Sequence, residues 1–232
     1  MTRIFLAQHI ISAVENFFRG TYWTVGAVSL SMQLRRCAAF LLLTVLANPS
    51  WAMEMKVEGN QLILSGSVDG LELTKFSGLL APAIKTIVFS DSSGGDFESG
   101  LNLAAIIRQR GLTTVAKGFC RSSCANAFLG GVNRYLANSR SYVAFHGHYN
   151  RRSTTLQSRI GEMRTFYAEM TAGKVSDELV QLWMQKPRAG MVYFFRSVTY
   201  SCDGTESKRP SGCEKLPQTA MDQGIITSLD DR

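Results

Sequence analysis

At 232 residues, with 45% hydrophobic and 19% charged positions, the chain can hold one α/β domain with a full core, and it has no internal repeat of the solenoid kind. The formal net charge is +7, but no basic run with interleaved aromatics marks a nucleic-acid surface. Arg151-Arg152 and Lys208-Arg209 read as solvated loop charges, so nucleic acid is not an expected partner.

The N-terminus reads as an export signal over residues 32–52. Gln33-Leu34-Arg35-Arg36 is a short basic region, 37–47 is apolar apart from Thr44, and Ser50-Trp51-Ala52 offers small residues for cleavage after Ala52. The apolar run is short for a membrane span, which disfavours a retained anchor. Residues 1–31 then read as a leader upstream of a true start at Met32, and 53–232 as the processed domain, periplasmic or secreted. Four of the 25 basic residues and one of the 18 acids lie before residue 53, which leaves 21 against 17.

Four of the five cysteines remain after cleavage, in a compartment that permits disulfides. Cys202 and Cys213 bracket a polar loop that cannot pack a core; a bridge there is worth roughly 3 kcal/mol on the loop-entropy view. Cys120 and Cys124 form the second pair, since i and i+4 on a helical turn lie near bridging distance.

Residues 61–68 alternate polar and apolar and predict an opening strand, closed by Asp69-Gly70. Leu71, Leu73, Phe76, Leu79 and Leu80 have helical spacing, and Pro82 ends that helix. Lys85 to Ser90 is a short strand leading to Ser92-Ser93-Gly94-Gly95, read as a tight turn. Helix 98–110 places Leu103, Ile106, Ile107 and Arg110 on one face and stops at Gly111. Thr113 to Lys117 is the next strand, so strand, helix and strand make a parallel βαβ unit. A helix from Cys124 to Leu129 and a strand from Tyr142 to Phe145 repeat the step, which argues for an α/β sheet with packed helices.

From Ser153 a long amphipathic helix carries Leu156, Ile160, Met163, Phe166, Tyr167 and Met170, and ends at Gly173. Ser176 caps a further helix with Leu179, Leu182 and Trp183 inward, ending by Pro187. Residues 191–195 are a buried strand or an edge segment. The tail reads as a short helix from Pro217 to Gln223-Gly224 and a last strand over 225–227.

Ser92-Ser93-Gly94-Gly95 before a helix resembles the Ser-Pro-Gly-Gly turn of the Clp protease proteolytic subunit and its relatives, the ClpP/crotonase superfamily. Gly118 with a serine four residues on resembles that family's Gly-x-x-x-Ser. Asn138-Ser139-Arg140, leading through an apolar strand to His146, resembles the segment with its catalytic histidine, and the closing helix and strand resemble its C-terminus. The resemblance covers roughly residues 55–150 and returns over 216–229. It implies ClpP/crotonase-like repeated βαβ layering and an acyl-transfer site.

In that reading Ser122 is the nucleophile and His146 the general base. The backbone N–H groups of Gly94 and Ser123 hold the oxyanion. Without the resemblance a Ser-Ser pair at a helix start is an ordinary cap, and two glycines are an ordinary turn. A register counted back from Phe128 makes Cys124 the alternative nucleophile, although a bridge to Cys120 would use up that thiol. Cys120, Cys124, His146 and His148 can also be drawn as a zinc set, but their spacings are weak for zinc and no metal or other cofactor is expected.

The family's orienting aspartate has no counterpart in Met184-Gln185-Lys186-Pro187-Arg188, which leaves Asp177 as the candidate and Asp203 as its alternative. The expectation is an exported ClpP-like serine peptidase acting on peptide or protein, with room for a homo-oligomer and no ATPase-docking feature. The alternative is an inactive exported binding or scaffold protein on the same fold. A crotonase-type acyl-CoA enzyme ranks third, because CoA is not expected outside the cytoplasm.

Overall fold

Alternating burial and helical periodicity organise the chain around one sheet. The structure is a computed structural model, and it describes residues 53–68, 72–149, 159–186, 189–204 and 213–230. The leader and export signal over 1–52, and the first part of the helix expected from Ser153, lie outside the described residues. β1 (Glu54–Glu58) pairs antiparallel with β2 (Gln61–Val68), whose Leu62 and Leu64 are fully buried. Helix α1 (Glu72–Leu79) buries Phe76 and leads to β3 (Thr86–Gly95), parallel to β2.

Helix α2 (Phe97–Gln109) starts on Asp96, whose carboxylate accepts the Ser99 N–H at 2.8 Å, and buries Leu103, Ala104 and Ile107. Strand β4 (Thr113–Arg121) follows, parallel to β3, and completes the first βαβ unit. Helix α3 (Ser123–Leu129) and β6 (Tyr142–Phe145), parallel to β4, make the second. Between them lies β5 (Asn133–Leu136), also parallel to β4.

Strand β4 therefore has two partners on one edge. Its residues Thr113 to Ala116 pair with β5, and Phe119 to Arg121 pair with β6. The break falls at Gly118, at φ +75, where a Cβ would stand 2.0 Å from Asp91 Oδ1. At this φ a residue with a Cβ is strained, and the Asp91 side chain would have to move aside for one. The Asp91 carboxylate accepts the Phe119 N–H at 3.3 Å and the Ser141 hydroxyl accepts the Gly118 N–H at 3.1 Å, so the kink turns the end of β4 toward β6.

Helices α4 (Ile160–Met170) and α5 (Asp177–Met184) bury Met163, Tyr167, Leu179 and Trp183. The Phe145 ring stacks on Trp183 at 4.8 Å and meets Tyr167 edge-on at 5.7 Å. Beyond β6 the sheet continues antiparallel through β7 (Met191–Phe194), β8 (Thr199–Cys202) and β9 (Glu214–Leu216).

Several expectations are corrected. Residues 92–95 are extended rather than a tight turn, because Gly94 and Gly95 pair with Ser67 and Val68 across a bulge. Strands β1, β5, β8 and β9 were not expected; β7 lies inside the sheet, the buried one of the two alternatives for 191–195. No strand forms over 225–227. There the tail is held by side-chain chemistry: buried Arg134 donates to the carbonyls of Gly131, Gly224 and Ile225, and the Arg134 carbonyl accepts the Thr227 N–H.

Burial, with a smaller push from Arg108, lowers the Arg134 guanidinium to about 10. Arg134→Met would leave three carbonyls without their donor and is expected to cost about 3 kcal/mol. The denaturant midpoint and faster amide exchange over 224–227 read that loss.

Candidate active site

Strand β4 ends at Arg121 and α3 begins at Ser123, so a single residue makes the turn. Ser122 does so at φ 57, ψ −128, a region that residues with a Cβ seldom occupy. An N-cap serine ordinarily has extended backbone and accepts an amide of its own helix. Ser122 makes no such cap bond, so its half-buried hydroxyl is not spent on α3. Its N–H donates to the Ala144 carbonyl at 2.9 Å, and its carbonyl accepts the Asn126 N–H at 3.2 Å.

The end of β3 lies directly on this elbow. A Cβ on Gly94, at φ +82, would stand 2.5 Å from the Arg121 carbonyl oxygen, 2.8 Å from Ser122 Cβ and 2.9 Å from the Ser123 nitrogen. The missing side chain is what lets the two backbones meet. The Gly94 N–H reaches Ser92 Oγ at 3.4 Å, a long bond that a better acceptor can replace. Ser123 opens α3, so its N–H is one of the amides a helix leaves without an internal partner. Gly94, Ser122 and Ser123 are thus brought together.

His146 follows the aromatic core residue Phe145. Because Arg121 is in register with Ala144, the histidine backbone lies about one strand spacing and one residue rise from Ser122, ~6 Å. Its Nδ1 is 2.6 Å from the Gly147 carbonyl oxygen. A carbonyl only accepts, so Nδ1 is the donor in that contact. The Tyr149 ring stacks on the imidazole with centroids 5.6 Å apart, and the Tyr149 hydroxyl donates to the Lys186 carbonyl. The Gly147 carbonyl and Tyr149 were missed in the sequence; a backbone acceptor has no residue signature, and the only visible hint was a glycine beside the histidine.

The acids go elsewhere. Asp177, its side chain 69% exposed, faces Arg164 Nε at 3.9 Å, and Asp203 accepts from Lys186 Nζ at 2.7 Å. Asp177 is therefore placed in the α4–α5 ion pair, and the group found on His146 Nδ1 is a backbone carbonyl.

Both expected disulfides are formed, Cys120–Cys124 with 5.3 Å between Cα atoms and Cys202–Cys213 with 4.4 Å. The first removes Cys124 as a free thiol nucleophile and takes both cysteines out of the zinc set. Among the described residues no group of three or more His, Cys, Asp or Glu side chains is arranged to hold a metal. Nor is any helix there long and apolar enough to cross a membrane.

His148 packs its ring on Phe97, centroids 4.0 Å apart, and Arg159 covers that ring at 4.6 Å. Arg159 also pairs with Glu98 and, at 2.7 Å, with Glu162, tying the starts of α2 and α4 together beside the site. Burial first, then the nearby His146 and Arg159, lowers the His148 imidazole to about 4.

No family model and no curated protein matches the sequence. Among solved structures, ClpP1 from Listeria monocytogenes is similar at 18% identity, covering 75% of this chain and 92% of that one, with a TM-score of 0.46. A variant of the 1510-N membrane-bound stomatin-specific protease is similar at 10% identity, covering 76% and 82%, TM-score 0.47. A protein from Streptomyces coelicolor A3(2) assigned as an enoyl-CoA hydratase is similar at 12% identity, covering 79% and 69%, TM-score 0.44.

The low value at His148 has a definite sign. Folded His148 stays neutral while the unfolded chain takes up a proton near its ordinary 6.5, so its stabilisation is complete above that pH and is lost as pH falls toward 4. The loss is expected to be about 3 kcal/mol. Urea unfolding at several pH values should show this slope in the parent and not in His148→Phe; equal slopes would contradict it.

Proposed function

We propose that the chain is an exported ClpP-like serine peptidase. The observation that carries this reading is the elbow itself: a non-glycine residue at φ 57, its hydroxyl not used as a cap, with the Gly94 backbone pressed against it. A serine that serves only as a cap has no need of that conformation.

In the proposed reaction Ser122 Oγ attacks a peptide carbonyl while His146 Nε2 takes its proton. The carbonyl oxygen, now an oxyanion, accepts from the N–H groups of Gly94 and Ser123. Collapse breaks the C–N bond, and His146 returns the proton to the leaving amine. Water, deprotonated by the same nitrogen, then hydrolyses the Ser122 ester.

The Gly147 carbonyl fixes the imidazole tautomer in place of an aspartate. A neutral acceptor gives a bond roughly half as strong as a charged one, so the imidazolium is stabilised less. Asp177 and Asp203 are engaged with Arg164 and Lys186, and an orienting acid that is lost can cost about 10⁴ in rate. The two disulfides support an oxidising location, periplasmic or extracellular. A peptide or protein substrate and a homo-oligomeric state belong to the same proposal.

The exposure of Asp177, and its pairing with Arg164, favour one second reading: an inactive exported scaffold that keeps the fold without the acid. Fluorophosphonate labelling of the oxidised chain, with the site mapped by mass spectrometry, separates the two. The peptidase reading expects an adduct on Ser122, none in Ser122→Ala, and labelling at least about 100-fold slower in His146→Ala. No adduct on Ser122 would leave the scaffold reading.

A further inference from the structure

The bridge between Cys120 and Cys124 spans the elbow, with Ser122 at the centre of the five residues it encloses. We infer that this disulfide is a positioning device that makes the Ser122 site conditional on oxidation, so that the chain is inert with its thiols reduced and becomes competent when the bridge closes. The inference rests on the reading of Ser122 as nucleophile.

The elbow is held in an unfavourable conformation. A residue with a Cβ at φ 57, ψ −128 is disfavoured by roughly 5- to 150-fold relative to its ordinary regions. A helix start offers an obvious relaxation: Ser122 returns to extended backbone, and its hydroxyl accepts an amide of the first turn of α3. That relaxed form is a good cap and a poor nucleophile, because the hydroxyl and the Ser123 N–H are re-aimed. Something must oppose it.

Three contacts do. The Ser122 N–H is held by the Ala144 carbonyl, the Gly94 backbone blocks one side, and the bridge fixes Cys120 on β4 to Cys124 on α3. Closing a loop this short restricts the chain by about 30-fold on the loop-entropy view. That figure measures the restriction of the open chain; in the folded protein the bridge acts as a short tether that opposes any swing of the first turn of α3 away from the end of β4. Cys120 and Cys124 are both 0% exposed and belong to the main core, packed with Ala116, Ala125 and Phe128. The bridge therefore acts from beneath the elbow, without touching substrate.

Closure is a two-electron step. The two thiols lose two electrons and two protons to a disulfide oxidant, which is reduced to two thiols as the S–S bond forms. An exported compartment supplies that class of oxidant and the cytoplasm opposes it. The second bridge, Cys202–Cys213, joins the ends of β8 and β9 and lies outside this argument.

The test uses the full chain and the fluorophosphonate probe, reading labelling rate at Ser122 alongside thermal unfolding. Cys120→Ala/Cys124→Ala is expected to melt cooperatively yet label at least about 5-fold slower. Cys202→Ala/Cys213→Ala should label at the parental rate. Where the first double variant does not fold, the second is equilibrated in redox buffers of oxidised and reduced dithiothreitol. Labelling should then follow the oxidised fraction of Cys120 and Cys124 and return on reoxidation. Equal labelling of bridged and unbridged protein would overturn this inference and leave the nucleophile standing; no label on fully oxidised protein would overturn both.

Discussion

One backbone hydrogen bond joins the two halves of the candidate site: the Ser122 N–H on the Ala144 carbonyl. It extends the parallel pairing of β4 and β6 by one step past the end of the ladder, to the residue where β4 becomes α3. The serine side of the site and the histidine side meet there. The kink at Gly118 makes this bond available, because it releases β4 from β5 and turns it onto β6. Behind β6, the stacking of Phe145 on Trp183 and its edge contact with Tyr167 fix the strand that leads into His146.

The site as built is weighted toward geometry rather than charge. The proposed oxyanion donors are backbone amides, and the Gly147 carbonyl meets His146 Nδ1. The acids that the sequence offered are engaged elsewhere, Asp177 with Arg164 and Asp203 with Lys186. A histidine oriented by a neutral acceptor keeps the right tautomer but gains less on protonation.

What could be read from the sequence follows the range of the interactions involved. Local signals were reliable: the strand over residues 61–68, Tyr142 to Phe145, the Ser176 cap and the two cysteine pairs all stand where spacing and turn chemistry put them. Short strands that depend on a partner were not legible. β5 is four residues beside β4, and β8 and β9 are polar segments paired only through β7. The tail failed as a strand because its carbonyls are taken by Arg134, about 90 positions away in the chain. That Gly94, Ser122 and Ser123 lie together followed from a motif because the elbow is local. The contact of His146 Nδ1 with the Gly147 carbonyl could not be read this way, since a backbone acceptor has no residue signature.

The most direct measurement is a crystal structure of the oxidised chain after reaction with a fluorophosphonate. The account predicts phosphorus bonded to Ser122 Oγ, its oxygen accepting from the N–H groups of both Gly94 and Ser123, and His146 Nε2 turned toward the adduct with Nδ1 still on the Gly147 carbonyl. An adduct whose oxygen faces solvent, or a reacted residue other than Ser122, would contradict it.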